Sequence, residues 1–171
     1  MTFIQAALLL VFPALVITGA LRDVTSFTIP NWISGALILG FFPAALALGA
    51  PISTIGLNAG VGAAALIIGM IMFALRWIGG GDAKLFAAAA LWLGWPASLE
   101  YLAITGLAGG VLTLALLGSR SMLLRAYFTS GPAWVSRLAT PGGDVPYGVA
   151  IAVGALLAFP SSALMSAWGG F

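Results

Sequence analysis

The chain has no histidine and no cysteine among its 171 residues. Those absences remove Ser-His and Cys-His nucleophile pairs, zinc sites built on either ligand, and any disulfide framework. Charge is scarce too, with six Lys and Arg, four Asp and Glu, and 6% charged residues in all. Soluble domains carry roughly a quarter of their residues charged, so a soluble fold is not expected. The net charge of +2 rests on so few groups that it points to no nucleic-acid partner. Any chemistry must come from Asp, Glu, Lys, Arg, Ser, Thr or Tyr, and no metal or cofactor is expected.

What is present is apolar. The chain is 62% hydrophobic with a mean hydropathy of +1.16. Its apolar runs are each near the ~20 residues that cross a bilayer as a helix. The expected fold is all-α, a polytopic membrane helix bundle forming one domain over residues 1–171. Spans are expected at about 3–21, 32–50, 57–78, 83–95, 98–118 and 147–168, with a loop over 119–146. No Lys or Arg precedes the run from Phe3 to Leu21, so it reads as a first span rather than a cleavable signal. Ile29-Pro30-Asn31 supplies an extended pre-proline residue and an Asn able to cap the second helix. Gly49-Ala50-Pro51 stops that helix. The fourth segment is short: at ~1.5 Å per residue its dozen residues fall below a ~30 Å hydrocarbon core.

Charge decides the topology. If 83–118 is a helical hairpin, Arg22, Arg76, Lys84, Arg120, Arg125 and Arg137, all the basic residues of the chain, fall on one side. Positive residues in short loops mark the cytoplasm, so six spans with both termini outside are expected. Asp23, Asp82 and Asp144 then face the cytoplasm, and Glu100 sits on the opposite face.

Asp23 closes the first span and Asp82 opens the fourth, at about the same depth. Carboxylates near the hydrocarbon edge are costly unless they meet a bundle interior, a partner or water. Two at one level point to a shared site. Paired carboxylates a few ångströms apart cannot both ionise easily and hold one proton between them. The ionised member can take a proton from an intervening water while the other gives one to a scissile carbonyl. Both protons belong to the pair, so neither role is assigned to one aspartate.

The stretch WIGGGDAKLF (77–86) places Gly79, Gly80 and Gly81 ahead of Asp82. Glycines there would let a substrate backbone approach and would allow φ > 0 before the helix. Asp82 would stand at or just inside a helix N-terminus, where the dipole favours its charge. A flexible turn with a capping aspartate explains the same residues. Lys84 could neutralise Asp82, hold an acidic group of a substrate, or act as an inside-positive anchor. Asp144, in the turn-rich segment Thr140–Pro146, reads as a solvated or capping residue, and Glu100 as a headgroup neighbour. The 119–146 loop mixes arginines with Met122, Leu123, Leu124, Tyr127, Phe128 and Trp134, which suits an interfacial segment on anionic lipid. Membrane aspartates also suit a small ion-coupled transporter or channel subunit, although the two halves share no matching motif as an inverted repeat would. A non-catalytic assembly factor would leave the aspartate pair unexplained.

Three segments carry a family resemblance: Gly79-Gly80-Gly81-Asp82-Ala83-Lys84, Asp23 with Ile29-Pro30-Asn31, and Pro146-Tyr147-Gly148-Val149-Ala150. The first resembles the GxGD motif of the type IV prepilin peptidases, intramembrane aspartyl proteases of the bacterial inner membrane. The second resembles that family's first-aspartate region and the third the start of its last helix, so the likeness runs from about residue 15 to 155. The resemblance implies Asp23 and Asp82 as a catalytic dyad facing the cytoplasm, with Gly79, Gly81 and Lys84 supporting the motif or the substrate. It implies a prepilin or pseudopilin precursor as partner, cut of its short basic leader at the cytoplasmic edge of the bilayer. The larger bifunctional members carry paired CxxC motifs in a cytoplasmic insert and also methylate the new N-terminus. With no cysteine and a short first loop, this chain is similar to the peptidase-only branch of Tad/Flp pilus systems, and no methyltransferase activity is expected.

Overall fold

The computed structural model describes residues 2–120 and 132–169. Within them the chain is helical: α1 (Phe3–Ser26), α2 (Asn31–Ala47), α3 (Ile52–Ala74), α4 (Gly80–Leu93), α5 (Ala97–Ser119), α6 (Ala133–Leu138), α7 (Tyr147–Ala158), a 3₁₀ turn (Phe159–Ser161) and α8 (Ala163–Ala167). The protein is a polytopic helical bundle. Phe3–Ser26, Ile52–Ala74, Ala97–Ser119 and Tyr147–Ala167 are long and apolar enough to cross a membrane, and Asn31–Ala47 is a shorter apolar helix. Of the loop residues expected at the interface, Met122, Leu123, Leu124, Arg125, Tyr127 and Phe128 lie outside the described residues.

Several helix ends differ from the expected spans, for local reasons. The first helix runs on past Leu21 to Ser26. Thr25 Oγ1 and Ser26 Oγ donate to the carbonyls of Leu21 and Arg22, each at 2.7 Å, which supports the last turn. Phe27, left-handed at φ 53°, then ends it. At the other end of the chain the expected helix over 147–168 is interrupted at Phe159–Ser161, where Pro160 lacks an amide to donate.

The short helix α4 is the centre of the bundle. Its 14 residues span about 21 Å, too short to cross alone. Nearly every residue from Asp82 to Leu93 is buried, and the helix packs on α1, α2, α3, α5 and α7. Ala83 and Ala87 to Ala90 keep its surface narrow, and α3 meets it through glycines. A Cβ on Gly62 would stand 3.0 Å from Leu91 Cβ, and one on Gly69 3.2 Å from Ala83 Cα. At the far end of α4, Trp92 is fully buried, donates Nε1–H to Leu37 O at 2.8 Å and packs beside Phe12 and Phe41. Trp92→Ala is expected to destabilise the bundle by about 3–5 kcal/mol, read as a lower thermal midpoint in detergent. An unchanged midpoint would contradict the role given to this residue. The outer faces carry Leu10, Leu39, Ile67, Leu107 and Leu114 in exposed positions, as a surface solvated by lipid tails requires.

Candidate active site at the α1, α4 and α7 ends

Asp23 lies in the last turn of α1 and Asp82 in the first turn of α4. The Asp82 Oδ2 accepts the Gly79 N–H at 3.0 Å, so the carboxylate reaches back to close the open end of its own helix. This places Asp82 just inside a helix N-terminus, as its position behind three glycines suggested. The bond also restricts Gly79, because a Cβ there would stand 2.9 Å from Asp82 Oδ2.

The partner of Asp23 comes from a distant part of the sequence. Pro146 precedes α7, whose first turn aims the Gly148 N–H at Asp23 Oδ2 at 2.7 Å, across 125 residues of sequence. The same amide faces the Asp82 carboxylate, and the two aspartates lie within electrostatic reach of one another. Both are buried, at 5% and 8% exposure. Asp82 Oδ1 is buried and has no hydrogen-bond partner among the described residues, so it is one atom of the pair able to take a proton or a water. Among the described residues no third metal-ligating side chain joins the two acids.

Ile29 closes the site. The extended segment between α1 and α2 turns it inward, to 8% exposure. Its Cβ and carbonyl would stand 3.0 and 3.3 Å from a Cβ on Gly81, and its Cδ1 3.0 Å from one on Gly148. In the sequence Ile29 and Gly148 stand only as parts of motifs. Nothing local assigns them to the aspartates, because their closeness arises where three helix ends converge.

Two expectations about the glycine turn need correction. None of Gly79, Gly80 and Gly81 has positive φ, and Gly79 is extended at φ −72°. The left-handed residue of this connection is Arg76 at φ 61°, where α3 ends with the Trp77 N–H donating to Met72 O. The requirement for glycine at 79 and 81 is therefore steric. Lys84 does not neutralise Asp82 either. Its Nζ donates to Asn31 Oδ1 at 2.8 Å, on the opposite side of the helix turn.

The other acids stay apart. The Asp144 side chain is exposed, and among the described residues its backbone carbonyl is held by Arg120 Nη2 at 2.8 Å. Arg120 Nε also donates to Leu138 O at 2.9 Å, tying the end of α5 to the approach to α7. Glu100 is exposed in the first turn of α5, at the opposite end of that helix from Arg120.

Residues 10–114, more than half of the chain, match the model of a family described as the type IV leader peptidase family. Neither a curated protein nor a solved structure matches the chain.

Proposed function

Because the chain belongs to the type IV leader peptidase family, we propose that this membrane protease is of the aspartic type and that Asp23 and Asp82 are its catalytic pair. Its substrates are Flp/Tad-like prepilin precursors, and it removes their short basic leaders at the cytoplasmic face of the bacterial inner membrane. Both of its termini lie outside, and it does not methylate the product. One observation carries the reading: two buried carboxylates on different helices stand within electrostatic reach of one another, one of them held by the Gly148 amide.

In this reaction a water held between the carboxylates loses a proton to the ionised member as its oxygen bonds to the scissile carbonyl carbon. The protonated member gives its proton to the carbonyl oxygen. Collapse of the tetrahedral adduct returns that proton to the pair, and the leaving nitrogen takes one as the C–N bond breaks. The products are a free carboxyl on the leader and a free amine on the mature protein. Asp82 Oδ1, buried without a hydrogen-bond partner among the described residues, has its lone pairs free for the water. The Gly148 amide holds Asp23 Oδ2 in place.

The test is cleavage of a tagged precursor in reconstituted vesicles, followed by mass spectrometry of the product. A shortened product with an unmodified N-terminus supports the proposal. An uncut precursor, or a methylated product, contradicts it. In the same assay Gly81→Leu is expected to lose about 100-fold in activity, because the added side chain meets Ile29 at once and displaces the turn that carries Asp82. A fully active Gly81→Leu enzyme would sink this account of the glycine.

A further inference from the structure

One side chain ties the end of α5 to the chain that enters α7. Arg120 directly follows α5, and its guanidinium reaches backbone 18 and 24 positions further along the sequence. Its Nε donates to Leu138 O at 2.9 Å and its Nη2 to Asp144 O at 2.8 Å. These carbonyls flank the Thr140–Gly143 turn, which the Gly143 N–H closes by donating to Thr140 O. One edge of the planar group therefore straddles the turn, so near that a Cβ on Gly143 would stand 3.5 Å from Nη2. A cation is favoured at a helix C-terminus by the dipole, and on the cytoplasmic side by the positive-inside rule. Neither effect fixes where the side chain ends, and an ammonium would serve both equally. A fork on two backbone carbonyls of another segment needs a separate reason.

What the fork holds is the approach to the dyad. Residues 143–146 lie outside any helix, and Asp144 comes four positions before Gly148. Gly148 is the second residue of α7, and amides in the first turn of a helix have no intrahelical partner. Its bond to Asp23 Oδ2 therefore depends on where the start of α7 is set, not on the ladder of that helix. Resting on the peptidase reading above, we propose that Arg120 is a positioning residue: it clamps the backbone entering α7 and so keeps the Gly148 amide on Asp23. It touches neither aspartate and acts only through the chain it grips.

The test compares wild type, Arg120→Ala and Arg120→Lys at equal amounts in vesicles, on a tagged precursor with a basic leader. Arg120→Ala is expected to lose about tenfold in kcat with KM unchanged, as two bonds from a charged donor are removed. Arg120→Lys keeps the charge but not the fork, and is expected to lose as much. Amide hydrogen exchange supplies a readout that needs no substrate. The Gly148 N–H is protected by a carboxylate and by no helix carbonyl, so its exchange should quicken about tenfold in both variants at an unchanged thermal midpoint. Full activity in Arg120→Lys overturns the proposal and leaves Arg120 a plain charge at the membrane edge. So does a loss confined to KM, or a loss in kcat with wild-type exchange at Gly148. Exchange that quickens throughout α7 with a lowered midpoint marks a general loss of stability, and overturns it too. If Arg120→Ala does not reach the membrane, Arg120→Lys decides alone. If wild type cuts no precursor, the peptidase reading fails by itself. Exchange at Gly148 then decides the clamp: faster exchange in the variants supports it, and equal exchange overturns it.

Discussion

Asp23→Asn and Asp82→Asn should each abolish precursor cleavage, by about a thousandfold or more. The substitution is nearly isosteric. An asparagine at 23 can still accept the Gly148 N–H, and one at 82 can still accept the Gly79 N–H, so the helix ends keep their bonds. What is lost is the capacity to take up and release a proton. Because the two acids act as a unit, the double variant should be no slower than either single one. For the same reason the wild-type rate should describe a bell against pH, with limbs that belong to the pair and not to one aspartate. Each variant is compared at equal amounts of membrane-inserted protein with an unchanged thermal midpoint. A single variant that keeps a tenth of the activity would rule out the paired mechanism.

Gly148→Ala should be nearly as damaging, although residue 148 has no side chain to lose. An added Cβ would stand 2.9 Å from both Cβ and Oδ2 of Asp23 and 3.0 Å from Ile29 Cδ1. Two of those neighbours are held by packing: Asp23 sits in a helix, and Ile29 is wedged against Gly81. The start of α7 must move away, taking the amide from Asp23 Oδ2 and opening the distance between the carboxylates. Displacements of about 1 Å in a positioned site cost on the order of a hundredfold, and that loss is expected in kcat. Gly60→Ala is the matched control, because a Cβ there meets nothing within 4 Å among the described residues, and it should cleave like wild type. Equal activity in the two variants would mean that Gly148 does not set the dyad.

How much of this could be read from the chain differs by element. The membrane class and the helical architecture were legible, because 62% hydrophobic and 6% charged residues leave no other solvent and a backbone in lipid must satisfy its own hydrogen bonds. The pairing of Asp23 with Asp82 was legible from depth, since few acids are tolerated at a helix end in a bilayer. The break at Phe159–Ser161 has a local signal in Pro160, outweighed in the sequence by an apolar run long enough to cross as one helix. The glycine turn differs in kind from the expectation: close packing on Ile29 and Asp82 requires glycine there, not left-handed backbone.

Hydropathy determined which segments of this chain are apolar enough to enter a membrane, because transfer into hydrocarbon depends on composition along each segment and little on its neighbours. Which helix becomes the centre was beyond its reach, since helices apolar on every face carry no stripe to mark an inside. Tertiary structure decided that. The glycines of α3 and the alanines of α4 allow one close crossing, and that crossing buries the shortest helix of the five that precede the loop. The convergence of Asp23, Ile29, Asp82 and Gly148 follows from the same packing, across sequence distances over which no local pattern extends.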